Sequence, residues 1–203
     1  MRLIEAAIAE FAERGFNAAS YNKIIERSGL SKGTVYYYFD NKESLLLTVM
    51  DEICQRFMCA VGGLQLPDTK EEYWATNWEY HQKAIRFFFE NPSLGRVMFR
   101  LSKDEPCFCE QLKDSHERTT RFMAALFVRG QEIGAVREDL PLETIGRLMH
   151  AIGHVLFADI VEERGVDLQD LQDAEVCSRI GKFMKIMHDL SQRILTPEEV
   201  RHV

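Results

Sequence analysis

A group of residues suited to binding a polyanion lies between Ser20 and Lys42, in the stretch SYNKIIERSGLSKGTVYYYFDNK. Lysine ammonium groups, hydroxyls and free backbone N–H groups donate hydrogen bonds to phosphate oxygens. Phenols and hydroxyls also bond to base edges, and their apolar parts can touch a thymine methyl group. These residue types at this spacing indicate contact with DNA. We assign to this contact Ser20, Asn22, Lys32, Gly33, Thr34, Tyr36, Tyr37, Tyr38 and Lys42.

Two short helices are predicted to position these residues. The first carries Ile24 and Ile25, and the second begins at Ser31, whose hydroxyl can cap the N–H groups of the following turn. Gly29 lies in the short turn between them. A turn containing glycine between two short helices is typical of the helix-turn-helix motif, in which the second helix enters the DNA major groove.

The second helix has an apolar side and an outward side. Successive residues of a helix are rotated by about 100°, so Val35 and Phe39 share one apolar stripe. Gly33 and Tyr37 point away from that stripe. Because glycine has no side chain, the backbone at Gly33 can approach a groove closely, at some cost in helix propensity.

The charge distribution restricts how DNA could be bound. The net charge is −7, and it comes entirely from the residues after position 50, because the first fifty residues sum to zero. The N-terminal part is therefore not basic overall, and few phosphate contacts imply a modest salt dependence. Binding must rely on where four cations lie, namely Lys23, Arg27, Lys32 and Lys42.

Lys42 has an unusual position for a lysine. Asp40 or Asn41 is suited to cap the next helix, which places Lys42 in the first turn. A cation there opposes the helix dipole by about a few tenths of a kcal/mol. A neighbouring DNA phosphate would remove this conflict. On its own Lys42 would be expected to point into water, but beside Lys32 and the tyrosines it predicts a phosphate contact.

Residues 4 to 46 resemble the N-terminal DNA-binding domain of the TetR family of bacterial transcriptional regulators. Ala19 and Ile25 depart from the family pattern, where a hydroxyl residue and a small alanine are common. The resemblance implies a helix-turn-helix domain over 1–46 and a ligand-binding and dimerisation domain over 47–203. The matching residues are Ile4, Ala6, Ala7, Phe11, Gly15, Phe16, Ser20, Ile24, Gly29, Leu30, Ser31 to Phe39, Lys42, Glu43, Leu45 and Leu46.

The whole chain is predicted to be all-α, with about nine helices and no strand. Its composition is ordinary for a globular protein, no apolar run reaches the roughly 20 residues of a membrane span, and no signal-peptide pattern is seen. A cytoplasmic location is therefore expected. Beyond the two short helices, the apolar periodicity predicts helices at about 2–14, 42–61, 70–91, 94–101, 110–133, 141–165 and 176–196.

The resemblance implies a small-molecule effector bound among the helices of the second domain. Rings and methionines are abundant there, which predicts an uncharged or weakly charged apolar effector. The alternative that these side chains form ordinary core stays open, because aromatic stripes at helical spacing commonly do so. The candidate lining residues are Trp74, Trp78, His81, Phe88, Phe99, Met123, Phe127, His150 and His154.

The resemblance also implies a homodimer on a palindromic operator, joined by the last two long helices as a four-helix interface. A two-fold dimer doubles the few bases that one short helix reads. Interior helices of a monomer are the alternative. The candidate interface residues are Leu148, Ile152, Val155, Leu156, Phe183, Met187 and Leu190.

Other chemistry has weaker support. Cys107 and Cys109 could serve a redox- or metal-responsive regulator of the same family, although two ordinary thiols are the simpler interpretation. His150 and His154 are spaced like metal ligands but have no evident third ligand, so no metal and no cofactor are predicted. No phosphate loop, nucleophile elbow or paired-carboxylate signature is present, which argues against an enzyme.

Overall fold

The computed structural model describes residues 2–104, 113–158 and 174–197, and these contain nine α-helices and no strand. The all-α prediction is therefore confirmed. The helices are α1 Arg2–Ala18, α2 Tyr21–Ser28, α3 Lys32–Tyr38, α4 Lys42–Val61, α5 Lys70–Glu90, α6 Pro92–Asp104, α7 Lys113–Glu132, α8 Leu142–Ala158 and α9 Ala174–Leu195.

Most helix ends lie within a few residues of the predicted ones. α1 was predicted to end before Gly15, and the backbone does leave the helical region there, with φ 72° and ψ 169°, but the helix resumes and runs to Ala18. Pro141 precedes α8 instead of starting it, and its carbonyl accepts a hydrogen bond from the Ile145 N–H at 3.1 Å. The predicted helical residues 110–112 and 159–165 lie outside the described ranges.

The described residues divide into two compact units. The first combines residues 1–60 with 87–119, and the second combines residues 61–86 with 120–203. This division follows packing alone. The predicted functional boundary between residues 46 and 47 stays a prediction.

The first unit has an apolar core in which α1 packs against both α2 and α6. The apolar face of α1 supplies much of this core because its residues recur at helical spacing. Phe57 of α4 lies against Phe87 and Phe88, with ring centroids 5.5 and 5.6 Å away. The most deeply buried side chains of this core are Ala7, Phe11, Ile24, Ile25, Val35, Leu45, Leu46, Val49, Ile53 and Val97.

The second unit has its own core between α5, α7, α8 and α9. Tyr73 of α5 is fully buried there, and its ring lies directly over Gly130 of α7. α8 and α9 also contact each other, and the Ser191 hydroxyl lies 3.3 Å from the Met149 sulfur. The other buried members of this core are Leu126, Phe127, Ala135, Val136, Ile145 and Leu195.

Gly130 is predicted to be irreplaceable by alanine. A Cβ atom at this position would lie 2.5 Å from Cε2 of Tyr73 and 2.6 Å from Cγ2 of Val136. We expect Gly130→Ala to lower the free energy of unfolding by about 1–3 kcal/mol through overpacking, measured by urea denaturation.

The matched control is Gly95→Ala in α6. Its Cβ would be 3.6 Å from the Phe88 side chain, an ordinary contact, so the higher helix propensity of alanine should stabilise the protein by up to about 1 kcal/mol. Equal effects of the two substitutions would show that the Tyr73–Gly130 contact is not tightly packed.

Candidate functional site

The turn between α2 and α3 has the geometry of a helix-turn-helix. The Ser20 hydroxyl caps α2 by accepting the Lys23 N–H at 3.4 Å. Gly29 ends α2 in the left-handed region, with φ 68°, and its N–H donates to the Glu26 carbonyl. That backbone conformation favours glycine, so the geometry of the turn explains why residue 29 is a glycine.

The seven-residue α3 begins as the sequence predicts. The Ser31 hydroxyl accepts the Thr34 N–H at 3.1 Å, and its side chain is also 2.7 Å from the Thr34 hydroxyl. Val35 is 1% exposed and attaches the helix to the core, whereas Phe39 ends it in an extended conformation and is partly buried. The Tyr21 hydroxyl donates to the Phe39 carbonyl at 2.7 Å, which holds the end of α3 to α2.

The outward face of α3 is exposed, although the Tyr36 ring packs edge-on against Tyr21 of α2, with centroids 5.5 Å apart. The three tyrosines are 47%, 81% and 71% exposed at Tyr36, Tyr37 and Tyr38. Lys32, Gly33 and Thr34 are exposed as well. The sequence therefore brings these six residues together on one surface, which we call the α3 surface. Asn22, in the first turn of α2, is also exposed.

Gly33 has no structural reason within the described protein to be glycine. Its backbone is helical, without a positive φ, and a Cβ there would meet nothing closer than the Ser31 hydroxyl at 3.9 Å. Glycine inside a helix costs up to about 1 kcal/mol relative to alanine. This cost has no compensating contact within the described residues.

The structure gives the Lys42 ammonium partners inside the protein that the sequence analysis does not predict. The ammonium donates to three backbone carbonyls at the end of α1, those of Phe16, Asn17 and Ala19, at 2.7, 3.2 and 3.0 Å. It also lies 4.5 Å from the centre of the Phe16 ring. An ammonium has three hydrogens, so all of its donors are used. The negative end of α1 thus supplies the partners of this ammonium in the structure, and the phosphate contact of Lys42 stays a prediction.

Arg27, another of the four cations, is also held within the protein. Its guanidinium forms ion pairs with Glu10 at 3.3 Å and Glu13 at 3.1 Å. The hydrogen bond from Arg27 lowers the pKa of the exposed Glu13 carboxyl. Sequence reasoning missed Glu10, which is 1% exposed and also accepts the Ser20 N–H at 3.2 Å. The sequence does contain a signal for this role, because Glu10 is a carboxylate on the apolar face of α1.

Comparison with known proteins agrees with this geometry. Residues 3–49 match the family model described as bacterial regulatory proteins, tetR family. The DNA-binding end of the chain, residues 3–49, belongs to the TetR family. The chain is therefore a DNA-binding transcriptional regulator of the helix-turn-helix type.

Relatives of this TetR-family regulator extend beyond the DNA-binding end. The HTH-type transcriptional regulator UidR of Escherichia coli K12 is 26% identical over 168 residues, which cover 80% of this chain and 81% of UidR. A tetR family transcription regulator from Shewanella sp. PV-4 has the same fold, with a TM-score of 0.75 at 20% identity over 97% of both chains. The fatty acid degradation regulator FadR from Bacillus halodurans reaches 0.74 at 19% identity, over 94% of this chain and 96% of FadR.

The predicted effector residues of the regulator lie in different places. Trp74 and Trp78 flank His188 of α9, with ring centroids 6.0 and 5.0 Å from the imidazole. Phe127 is buried in the core of the second unit, and Met123 packs against that core. Phe88 packs against the core of the first unit. The side chains of Phe99, His150 and His154 lie outside the described part.

The predicted dimer residues are described only in part. Leu148, Phe183, Met187 and Leu190 are partly buried, on the two helices that contact each other, α8 and α9. Ile186 of α9 is 51% exposed, which leaves an apolar side chain in water. The side chains of Ile152, Val155 and Leu156 are not among those described.

Neither a metal centre nor a membrane-spanning helix is found among the described residues. They contain no group of three or more histidine, cysteine, aspartate or glutamate side chains placed to hold a metal ion. None of their helices combines the length and the apolarity needed to cross a membrane. Cys107 and Cys109 fall outside the described ranges, so no described contact bears on the thiol alternative.

The role of Lys42 can be separated from that of Lys32, which makes no hydrogen bond or ion pair within the described protein. We expect Lys42→Met to lower the free energy of unfolding by about 1.5–3 kcal/mol, because three hydrogen bonds to a charged group are lost. It should weaken binding to a DNA duplex that the wild-type protein enriches from a random-sequence library, without changing the salt dependence of that binding.

Lys32→Met is the matched control. Its stability should stay within about 0.5 kcal/mol of the wild type, while the slope of log K against log salt becomes shallower by about one. If Lys42→Met also made this slope shallower, the result would show that Lys42 contacts a phosphate.

His81 makes the stability depend on pH. Burial, with a smaller contribution from His188, lowers the pKa of His81 to about 4 from its usual 6.5. The unfolded chain therefore takes up a proton first as the pH falls, and stability is lost below about pH 6.5. We expect His81→Phe to abolish about 1–2 kcal/mol of the loss between pH 7.5 and 5, measured by urea denaturation. An identical loss in His81→Phe would contradict the assignment.

Proposed function

We propose that this TetR-family regulator represses transcription by binding a palindromic operator as a homodimer and that a small-molecule effector releases it. The observation that carries the proposal is the α3 surface. It is exposed, rich in hydroxyls and backed by one buried anchor, Val35, and its glycine serves no contact inside the described protein. Such a surface is suited to a partner that approaches the backbone closely.

The α3 surface suits the DNA major groove in a specific way. Lys32 and the free N–H groups of the first turn would bind phosphates, and Gly33 would let the backbone approach the duplex. The exposed tyrosines and Thr34 would contact base edges or phosphates through their hydroxyls. Ser20 and Asn22, at the start of α2, would add phosphate contacts beside them.

A homodimer follows from the small size of this surface. One seven-residue helix reads only a few base pairs, and a two-fold axis doubles the site. The exposed Ile186 and the partly buried Leu148, Phe183, Met187 and Leu190 on α8 and α9 support these helices as the interface. The dimer would act on chromosomal DNA in the cytoplasm.

The effector region is proposed to lie around Trp74, Trp78 and His81 in the second unit. The ring contacts of the two indoles with His188 form an aromatic group that links α5 to α9. Phe127 and Met123 belong to the neighbouring core, so they would line such a site from one side at most. No reaction is assigned to the site, and the relatives are named as regulators of transcription.

The DNA-binding proposal is tested by selection from a random-sequence duplex library with the full chain. We expect the enriched sequence to be an inverted repeat. Gly33→Ala should raise the free energy of unfolding by about 0.5–1 kcal/mol through helix propensity. The same variant should bind the selected duplex about tenfold more weakly, a loss of about 1.4 kcal/mol, because its methyl group separates α3 from the groove.

The opposite signs of the two effects distinguish a binding role from a folding role. Gly95→Ala is the control, since it should stabilise the protein and leave DNA affinity unchanged. If Gly33→Ala binds the selected duplex as tightly as the wild type, or if the enriched sequence has no two-fold symmetry, the docking proposal is wrong.

A further inference from the structure

A line of hydrogen-bonding side chains runs along α5, and two of its three members are buried while the third, His81, is half-buried. Tyr73, Asn77 and His81 are spaced by four residues each, so they lie on one side of the helix. Tyr73 is 0% exposed and Asn77 is 1% exposed. We call these three residues the polar stripe. A helix that packs into a core normally presents apolar side chains at such positions.

Three buried polar atoms in this region have no hydrogen-bond partner among the described residues. They are the Tyr73 hydroxyl, Oδ1 of Asn77 and, from α9, Nδ1 of His188. Burying a polar atom without a partner costs free energy, because the hydrogen bond that it made to water is not replaced. Native proteins rarely keep such atoms without a partner, so each of these three is expected to bond to ordered water or to a bound molecule.

The surroundings of His188 connect this residue to a surface groove. Trp74 and Trp78 contact the imidazole, and Trp74 also lines an open groove of about 560 Å³. The Trp74 indole is thus shared between the groove and His188. The other residues that line the groove are Lys70, Glu71, Gly134, Ala135, Gln192, Arg193 and Thr196.

The polar stripe carries no positive charge at neutral pH. Burial lowers the pKa of both His81 and His188, so both imidazoles are neutral. A buried carboxylate or a buried ammonium would have no counter-charge among these groups, which carry neither sign, and would remain unpaired. Oδ1 of Asn77 only accepts hydrogen bonds, so its partner must bring a donor. These two conditions together select an uncharged donor group.

We propose that Tyr73, Asn77 and His188 form the polar end of the effector site, and that the effector is an apolar molecule bearing an uncharged hydrogen-bond donor such as a hydroxyl or an amide N–H. The donor bonds to Oδ1 of Asn77. The apolar part lies against Trp74 and Trp78. This inference rests on the proposed function, because it presumes an effector, and it makes the predicted apolar effector more specific.

Three probes of similar size test the chemistry. 1-Octanol has the hydroxyl donor, heptyl methyl ether has the same number of heavy atoms without a donor, and octanoate carries a charge. The chain has only two tryptophans, Trp74 and Trp78, and both flank His188, so intrinsic fluorescence of the full chain reports on this site directly. We expect a saturable change with 1-octanol and at least tenfold weaker binding of the other two probes.

Asn77→Leu tests the residue. It removes the unpartnered amide and keeps the side-chain size, so we expect a higher melting temperature together with at least tenfold weaker octanol binding. Asn91→Leu is the matched control, because the Asn91 amide donates to the Phe87 carbonyl at 2.8 Å. The control should melt at a lower temperature and bind octanol normally. Tyr73→Phe serves as a second test variant, with the same direction expected for both readouts.

Several outcomes would overturn this inference. They are a lower melting temperature in both Asn77→Leu and Tyr73→Phe, octanoate or the ether binding as tightly as octanol, or no saturable response to octanol. The last result would leave ordered water as the partner of the stripe. Affinity for the selected duplex without octanol separates the two proposals, because it should be unchanged in Asn77→Leu. Failure of the wild type to bind any duplex would instead reject the proposed function.

Discussion

The ammonium group of Lys42 links the start of α4 to the end of α1, next to the short helix α3 of the DNA-binding domain. Three carbonyls at the end of α1 share its three hydrogens, and α4 starts at the same lysine. α3 precedes α4 by only a few residues and has a single buried side chain, Val35. A helix of seven residues is marginal in isolation, so its orientation must come from the elements that flank it. Lys42 fixes its C-terminal side.

Polar contacts complete this arrangement on the N-terminal side. Glu10 of α1 accepts the N–H of Ser20, the residue that caps α2, and pairs with Arg27 at the other end of the same helix. Tyr21 holds the end of α3 through the Phe39 carbonyl. Two of the four cations on which DNA binding was predicted to rely, Lys42 and Arg27, are thus held by contacts inside the protein. This use of charge agrees with a surface that relies on hydroxyls and close backbone approach more than on net positive charge.

Local signals explain what could be predicted from the sequence. The Ser31 cap, the Gly29 turn and the apolar stripe on α3 depend on residues a few positions apart, so their pattern is visible in the chain. The partners of Lys42 are 23 to 26 residues away, and backbone carbonyls leave no trace in the residue types. The sequence therefore shows the dipole conflict at Lys42 but not these carbonyl partners, and it predicts a phosphate contact.

The second unit shows the same limit. The content of aromatic rings predicts an aromatic region but does not distinguish core residues from residues that line a groove. Phe127 lies in the core, whereas Trp74 lines a groove. Asn77 and His188 were missed, although the spacing of Tyr73, Asn77 and His81 is readable as a polar line on one helix side. Its significance appears only with burial, because a solvent-facing stripe of the same residues would be unremarkable.

The most direct test of this account is nuclear magnetic resonance of the lysine ammonium groups, recorded for the full chain before and after addition of the selected DNA duplex. The account predicts that the Lys42 ammonium gives a protected signal, coupled to the carbonyl carbons of Phe16 or Ala19, which keeps its position when DNA binds, while the Lys32 signal shifts. Loss of that coupling, with a new coupling between the Lys42 nitrogen and a phosphate phosphorus, would contradict it.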